Sequence, residues 1–262
     1  GPQGEQVVNG TAAFSRQGDR TVIEASHNSI INYNSFDILS HETVQFVQPG
    51  AASRVLNRIS GADPTQIDGS LLANGRVYIV NPAGVYFGNG AVVNVGGIYA
   101  AAANMTNSDF LNNIDQFTNV QGELTNLGTI QGQVIHLIGR HVVNQGTIVA
   151  PEGLVSMVAG EDVYLGEQGG HLLVKLESQV VGNQASDKPG VQSAGSIDAA
   201  KGEVVLGAGD IYALAINHTG AVKAADISLA GGDQGVVEVY GMLDASDRTA
   251  GAMGGSVQVL GD

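Results

Sequence analysis

Two neighbouring stretches, NLGTIQGQVIHLIG (residues 126–139) and NQGTIVAPEGLVSMVAG (residues 144–160), repeat one pattern. Each begins with Asn, continues into a Gly-Thr-Ile triplet and ends in an apolar run that stops at Gly. Related triplets, GSI, GAV and GML, occur at 195–197, 220–222 and 241–243, so successive triplets are 18, 49, 25 and 21 residues apart. We interpret the step of 49 residues as two periods plus an insertion. A repeat of about 20 residues predicts a stack of similar coils.

Short apolar runs bounded by turn residues, repeated at this period, are typical of a parallel β-helix. Its coils stack at about 4.8 Å, and no coil is stable alone because each is bonded to its neighbours. A β-sandwich or barrel is the alternative, but hairpin dipeptides are missing between the paired runs. We therefore predict an all-β parallel β-helix. Only residues 53–59 and 105–114 suggest a short helical turn.

The corners of the coils are predicted to depend on Asn and Gly. Asn126 and Asn144 stand two residues before Gly128 and Gly146, the first residues of the two Gly-Thr-Ile triplets. Corners require either a positive φ or a side chain that bonds to the backbone, which suits Gly and Asn. Equivalent Asn residues on successive coils could also form an amide ladder, in which each side chain bonds to the coil above.

The repeat divides the single domain, residues 1–262, into four segments. We expect an N-terminal β cap at 3–50, early coils at 51–160, an insertion at 161–194 and later coils at 195–262. The insertion reads as two strands around a Gly-Gly turn, which predicts an extra-helical hairpin standing off the side of the solenoid. Because the sequence stops part-way through a repeat, we expect the natural chain to be longer and this sequence to be its N-terminal fragment.

The composition excludes several classes of function. The chain has 262 residues, 38 of them Gly, no Cys and a formal net charge of −14. Without Cys, neither a disulfide nor a thiolate site can form. The acidic charge repels phosphate backbones, so nucleic acid is not an expected partner, and it favours a soluble monomer. No apolar run approaches the ~20 residues of a membrane-spanning helix.

Residues 44–110 contain SRVLNRISG, DGSLLANGRVYIVNPAGV, FGNGAVVNVGGI and SDF. With these motifs the chain resembles the secretion (TPS) domain of two-partner secretion exoproteins, the filamentous-haemagglutinin-type or haemagglutination activity domain. NLGTI, NQGTIVAPEG and GMLDAS are similar to later coils of that family, so the resemblance covers nearly the whole chain. It implies a right-handed parallel β-helix with an N-terminal cap.

The resemblance also implies a function. It implies type V secretion through the periplasm of a Gram-negative-type bacterium to the cell surface or beyond. The partner would be an outer-membrane transporter, which recognises the domain through its POTRA domains. The domain would then be a non-catalytic secretion and scaffold module of an adhesin-like exoprotein.

The predicted recognition site is Asn81, Pro82, Ala83 and Gly84. Pro fixes φ, Gly allows a positive φ and Asn can cap the turn, so the four residues predict a turn. They match the family's NPNG-type motif except that Ala83 stands at its third position. The family's earlier Asn-Pro motif has no clear match in this chain. We expect this turn to contact the transporter.

Two other functions stay open. The domain itself could bind a host or matrix glycan or protein along its flat faces. It could also be a polysaccharide lyase or hydrolase, which needs acidic side chains close together on one face. The candidate acids are Asp198, Asp210, Asp226, Asp233, Asp244 and Asp247. No cluster of Lys or Arg accompanies them, so we predict a column of solvated turn residues, no catalytic residues and no enzyme activity.

No metal or cofactor is predicted. The six histidines, at positions 27, 41, 136, 141, 171 and 218, read as surface or ladder residues. His136 and His141 lie on either side of a Gly-Arg turn, but no third ligand can be named. The segment AGGDQG (residues 230–235) is similar to the calcium-binding nonapeptide but is not repeated.

Overall fold

The computed structural model describes residues 1–168, 171–177, 188–247 and 251–261, and these contain 28 strands and one short helix. The strands before the helix are β1 (Gln6–Asn9), β2 (Ala12–Gln17), β3 (Arg20–Ala25), β4 (Ser29–Tyr33), β5 (Thr43–Val47), β6 (Arg54–Ile59), β7 (Thr65–Ile67), β8 (Ser70–Ala73), β9 (Arg76–Val80), β10 (Gly84–Phe87), β11 (Val92–Asn94) and β12 (Gly97–Ala101). The helix α1 (Asn107–Leu111) is followed by β13 (Asp115–Phe117), β14 (Glu123–Asn126), β15 (Thr129–Gln131), β16 (Val134–Gly139), β17 (His141–Asn144), β18 (Thr147–Val149) and β19 (Leu154–Ala159). The last strands are β20 (Asp162–Gln168), β21 (His171–Glu177), β22 (Val191–Ser193), β23 (Ser196–Ala208), β24 (Leu214–His218), β25 (Ala221–Ala230), β26 (Val236–Val239), β27 (Met242–Asp244) and β28 (Ser256–Leu260).

Most strands pair in parallel with the equivalent strand one coil later, which forms three faces. Face A consists of β3, β5, β8, β11, β15, β18, the first parts of β23 and β25, and β27. Face B consists of β4, β6, β9, β12, β16, β19, the second parts of β23 and β25, and β28. Face C consists of β7, β10, β14, β17, β22, β24 and β26. The prediction of an all-β parallel β-helix is confirmed.

The interior is built from columns of aliphatic side chains. One column on face B runs through seven coils and is at most 1% exposed; it comprises Val55, Val77, Ile98, Ile135, Val155, Val204 and Ile227. Burying each such side chain contributes about 1.5–3 kcal/mol. Branched side chains suit these positions because they pack well on a pleated surface.

Antiparallel strands lie at the N-terminal end of the solenoid. β1 pairs with β4 at the end of face B, and β2 pairs with β3 at the end of face A. β3, β4 and β5 already follow the parallel pattern of the coils. The segment 3–50 therefore contains both antiparallel end strands and the first parallel strands.

A second layer covers part of the outer side of face B. It consists of α1 and a three-stranded antiparallel sheet in the order β13-β20-β21, called here the extra-helical sheet. β20 and β21 form the hairpin predicted within 161–194. Val163 and Leu165 of β20 are buried in a second apolar cluster with Leu56 and Phe110. The hairpin therefore lies against the solenoid and does not stand off it. Parts of the predicted insertion, residues 169–170 and 178–187, lie outside the described residues.

Two local predictions are wrong. The step of 49 residues is one coil, because Thr147 pairs directly with Ser196, and the hairpin of β20 and β21 lies within the excess. Residues 53–59 are not helical but contain β6. This strand lacks an alternating pattern because both of its sides are covered, Val55 by the interior and Leu56 by the extra-helical layer. The helical turn within 105–114 is confirmed as α1.

Candidate recognition site

The residues Asn81–Gly84 form the turn between β9 and β10, at the corner where the chain passes from face B to face C. The carbonyl oxygen of Asn81 accepts a hydrogen bond from the Gly84 amide at 3.0 Å. Asn81 Oδ1 accepts another from the Ala83 amide, also at 3.0 Å. The first residue of the turn therefore closes it, as Asn side chains do in turns.

The side chain of Asn81 also joins this corner to the preceding coil. Its Nδ2 donates to the carbonyl oxygen of Asp63 and to Oγ1 of Thr65, both at 3.0 Å. The Asn81 backbone amide donates to the carbonyl oxygen of Ala101 at 3.0 Å. Asn81 has 0% exposed surface, so these bonds satisfy groups that water cannot reach. In the folded domain Asn81 is a buried structural residue.

The other end of the turn is restricted by its backbone and by the next coil. Gly84 has φ +132°, a region that favours glycine. A β-carbon on Gly122, one coil later, would lie closer than 3.0 Å to backbone atoms of Ala83 and Gly84. Pro82 and Ala83 are half-buried, whereas Asn81 and Gly84 are buried. Pro82 and Ala83 therefore supply the side-chain surface of the motif.

A polar column crosses the interior at the end of face C. Asn126 Nδ2 donates to Asn144 Oδ1 at 2.8 Å, and Asn126 Oδ1 accepts from the Gly128 amide at 3.1 Å. The register then places Ser193 on Asn144 and His218 on Ser193, all of them buried. Sequence reasoning missed the last two positions because the residue type changes from coil to coil.

The corner glycines are required by close approach of the preceding coil. A β-carbon on Gly146 would lie closer than 3.0 Å to the carbonyl oxygen of Gly128, and the same relation holds between Gly195 and Gly146. None of these three glycines has a positive φ. The prediction that Gly is needed at these corners for a positive φ is therefore wrong for these three residues. Gly is needed there because a β-carbon has no space.

The six candidate acids do not form one cluster. On face A the register places Lys223 between Asp198 and Asp244, so opposite charges alternate. Asp226 lies on face B and accepts a hydrogen bond from the Ser256 hydroxyl at 2.6 Å. Asp210 accepts one from the Asp233 amide at 2.6 Å, in a turn that includes part of AGGDQG. Asp247 lines a surface pocket with Lys201 and Lys223.

The histidines differ in burial: His136 and His218 are buried and His141 is half-buried. The exposed ones are His27, His41 and His171. His141 Nδ1 donates to the Pro189 carbonyl oxygen at 2.9 Å, and His218 Nε2 donates to that of Met242 at 3.1 Å. Within the described ranges, no three His, Asp or Glu side chains are grouped so as to hold a metal ion.

Sequence reasoning also missed a polar cavity of about 330 Å³ between face B and the extra-helical sheet, called here the extra-helical cavity. It is lined chiefly by Arg54, Arg76, Tyr78, Tyr99, Asp115 and His136. The one feature of the sequence that points to this cavity is Arg76, the single basic residue between positions 74 and 100. Most of the other residues that line the cavity, such as Asp115, His136 and Tyr164, are distant in sequence from Arg76, so no local motif predicts the cavity.

Burial controls the ionisation of the groups in this cavity. It raises the pKa of the Asp115 carboxyl, although the Tyr78 hydroxyl donates a hydrogen bond to it at 3.0 Å. It raises the pKa of Tyr99 to about 12. Burial, with a smaller effect of the nearby Arg76 charge, lowers the pKa of His136 to about 3. His136 Nδ1 and the Ser156 hydroxyl are hydrogen-bonded at 2.7 Å.

This architecture defines a β-helical domain with antiparallel N-terminal strands and an extra-helical layer. Residues 1–239 match the TPS secretion domain, and the chain belongs to that family. Proteins with this domain are secreted by two-partner systems to the cell surface or the medium, with an outer-membrane transporter as the general partner. Known members of the family are not catalytic.

Two curated relatives are heme/hemopexin-binding proteins of Haemophilus influenzae. One, from strain ATCC 51907, is 32% identical over 209 residues, which is 75% of this chain and 23% of the relative. The other is 36% identical over 119 residues, or 45% of this chain and 13% of the relative. The chain thus spans less than a quarter of the length of these relatives.

Two solved structures have the same architecture. The HMW1 secretion domain from Haemophilus influenzae superimposes with a TM-score of 0.76 at 27% identity, over 90% of this chain and 65% of that one. The filamentous hemagglutinin secretion domain superimposes with a TM-score of 0.58 at 16% identity, over 99% and 100% of the two chains. The second similarity shows the fold. Among the described residues, no helix is long and apolar enough to span a bilayer.

Proposed function

We propose that this secretion domain is recognised in the periplasm of a Gram-negative-type bacterium by the POTRA domains of its outer-membrane transporter. The corner at 81–84 is the proposed contact. The observation that carries this proposal is that the residues of the corner have two different roles. Asn81 and Gly84 are buried and fix the turn, while Pro82 and Ala83 present half-buried side chains at its surface.

The test must separate recognition from folding. Asn81→Ala would leave the Asp63 carbonyl oxygen and the Thr65 hydroxyl without their donor, so it changes folding as well as the motif. A double variant at the surface positions, Pro82→Ala with Ala83→Lys, leaves those bonds in place. Its matched control is Pro151→Ala with Glu152→Lys, which alters another exposed Pro-containing turn.

The measurement is the amount of protein exported in a strain that carries the transporter encoded beside this chain. We expect the Pro82/Ala83 variant to be exported less than wild type, and the Pro151/Glu152 control to be exported normally. Purified variants should keep the wild-type circular dichroism spectrum and melting temperature. Normal export of a folded Pro82/Ala83 variant would reject this corner as the contact.

Binding is tested directly with the chain held unfolded in urea and then diluted onto immobilised POTRA domains. In this state Asn81 is accessible, so Asn81→Ala can be compared with wild type without a folding effect. We expect wild type to bind and both Asn81→Ala and the Pro82/Ala83 variant to bind more weakly. Failure of wild type to bind would favour the adhesive function, in which the solenoid itself binds a glycan or matrix protein.

The remaining functions have separate tests. A glycan array with the folded domain tests adhesion. An assay for new reducing ends or unsaturated products from acidic polysaccharides tests the lyase or hydrolase function. The alternation of Asp198, Lys223 and Asp244 along face A gives no pair of adjacent acids there, which supports the proposal of a non-catalytic module. We further propose that the domain acts as a monomer, which analytical ultracentrifugation would test.

A further inference from the structure

The base of the extra-helical cavity is a stack of rings on the outer side of face B. The rings of Tyr78 and Tyr99 are stacked with centroids 4.1 Å apart, and the ring of His136 follows at 4.7 Å from Tyr99. All three side chains are at most 5% exposed. Tyr164 and Glu167 of β20 lie on the opposite wall. The cavity is thus formed between face B and the extra-helical sheet.

Two arginines of adjacent coils lie side by side in this cavity. Arg54 and Arg76 are register partners on β6 and β9. Arg54 is 5% exposed; it donates to the Phe110 carbonyl oxygen at 2.6 Å and to Asn28 Oδ1 at 3.0 Å. Its Nε has no acceptor in the part of the chain that the structure describes. Arg54 is therefore a fixed buried cation with unused donor capacity.

Arg76 is the more accessible of the two cations. Within the described part of the chain, the guanidinium group of Arg76 forms neither a hydrogen bond nor an ion pair with a side chain. Its stem packs at Gly97, where an added β-carbon would lie 3.2 Å from Arg76 Cγ. Asp115 lines the same cavity, but no carboxylate oxygen of the described residues lies within 4.0 Å of either guanidinium. Asp115 attracts both guanidinium groups only across this longer distance, so Arg76 keeps a guanidinium fork that no carboxylate of the described residues occupies.

We propose that the extra-helical cavity binds a small hydroxylated carboxylate, of the uronic acid class, with the carboxylate group on the Arg76 guanidinium. The planar guanidinium fork matches a carboxylate and can bind it through two hydrogen bonds. Arg54 lies behind it and adds positive potential. The cavity, at about 330 Å³, is within the lower range of small-molecule sites, which begins near ~300 Å³.

The hydroxyl groups of such a ligand have partners at the mouth of the cavity. Asn113, Tyr164 and Glu167 also line the cavity, and each is half-buried or exposed. These groups combine donors and acceptors, as the hydroxyls of a sugar require. A neutral sugar would offer the guanidinium fork of Arg76 no charged acceptor, and a cation would be repelled by the two arginines. The inference is independent of transporter recognition.

Asp115 gives the proposal a second, opposite test. Its carboxylate opposes a bound carboxylate in the same cavity. Asp115→Asn keeps the size of the side chain and an acceptor for the Tyr78 hydroxyl but removes the negative charge. The variant should therefore bind an anionic sugar more tightly than wild type, while Arg76→Met should bind it more weakly.

The experiment is isothermal titration of the folded domain with D-glucuronate, with D-glucose as the neutral counterpart. We expect wild type to bind glucuronate and not glucose. Arg76→Met should weaken binding about tenfold or more, which corresponds to about 1.4 kcal/mol. Arg20→Met, at an exposed arginine outside the cavity, is the matched control and should bind as wild type does.

Three results would overturn the proposal: no binding of glucuronate by wild type at millimolar concentration, equal affinity of wild type and Arg76→Met, or equal affinity for glucose. Melting temperatures of all variants are measured alongside. If Arg76→Met does not fold, the comparison of Asp115→Asn with wild type decides, because loss of affinity in that variant contradicts an anionic ligand. Binding of a longer oligouronate but not of the monosaccharide would reject the cavity as a site for one sugar unit.

Discussion

The carbonyl oxygen of Gly128 occupies the space where a β-carbon of Gly146 would lie. Gly195 stands in the same relation to Gly146, Gly220 to Gly195 and Gly241 to Gly220. The glycines therefore form a continuous column along one corner, in which the backbone of each coil fills the space that a side chain of the next would need. This contact explains why the Gly-x-apolar triplet keeps its Gly while its other residues change.

Gly146→Ala should destabilise the domain. The added methyl group cannot avoid the Gly128 carbonyl oxygen without a shift of the backbone, because no flexible side chain is involved. We expect a loss of roughly 1–3 kcal/mol in the free energy of unfolding, as for other overpacked sites. Urea denaturation followed by circular dichroism measures it.

The matched control for this substitution is Gly50→Ala. No heavy atom lies within 4 Å of the β-carbon that it would add, and Gly50 has no positive φ. Its effect should be within about 0.5 kcal/mol. Equal stability of the two variants would show that the backbone at Gly146 relaxes freely and that the glycine column is not a constraint.

Asn126→Ala should also reduce stability, because it removes two buried hydrogen bonds at once. Asn144 Oδ1 would lose its donor and the Gly128 amide its acceptor. Leaving such groups unsatisfied costs about 1–3 kcal/mol. Asn94→Ala, at an exposed strand position, is the control and should be nearly neutral. Denaturation midpoints compare the two variants; a neutral Asn126→Ala would mean that water replaces the lost bonds.

His136 should make the domain sensitive to acid. Its pKa is lowered from 6.5 to about 3 in the folded state, so the unfolded chain binds the proton first as the pH falls. Its contribution to stability is therefore complete above pH 6.5 and is lost progressively towards pH 3. The loss is at most about 1.4 kcal/mol per pH unit.

The measurement is the free energy of unfolding at about pH 7 and about pH 5, by the linkage relation for one proton. His136→Gln should lose less stability between these values than wild type, by up to about 2 kcal/mol. His27→Gln, at an exposed histidine, should follow wild type. If His136→Gln and wild type lose stability equally, the proton is not excluded from His136 in the folded protein.

The period of the solenoid could be predicted because Gly stands at the same corner of five successive coils, at positions 128, 146, 195, 220 and 241. Columns whose residue type changes from coil to coil could not be predicted from the sequence. Asn144 is followed in register by Ser193 and His218, and these three residues share only burial and polarity. The strand β6 was misjudged for a related reason. Its outer residue Leu56 is apolar because the extra-helical layer covers it, and this layer is formed by residues far along the chain.

The turn at residues 81–84 was predicted, but the burial of its first residue was not. The sequence of Asn81–Gly84 predicts a turn from local chemistry alone. The burial of Asn81 depends on acceptors at Asp63 and Thr65, which only the register between coils brings to its side chain. The extra-helical cavity could not be predicted, since it requires the hairpin to fold back onto face B.

The pairing of β13 with β20 places a condition on the order of folding. Asp115 is joined to Leu165, 50 residues further along the chain, across the outer side of face B. In a chain that folds from its N-terminus, the part of this apolar cluster that Val163 and Leu165 of β20 cover stays exposed to water until β20 is in place. During that interval the growing solenoid carries a transient apolar surface, which is later hidden. In such a chain, β20 completes the outer layer only after at least two more coils of the solenoid have formed.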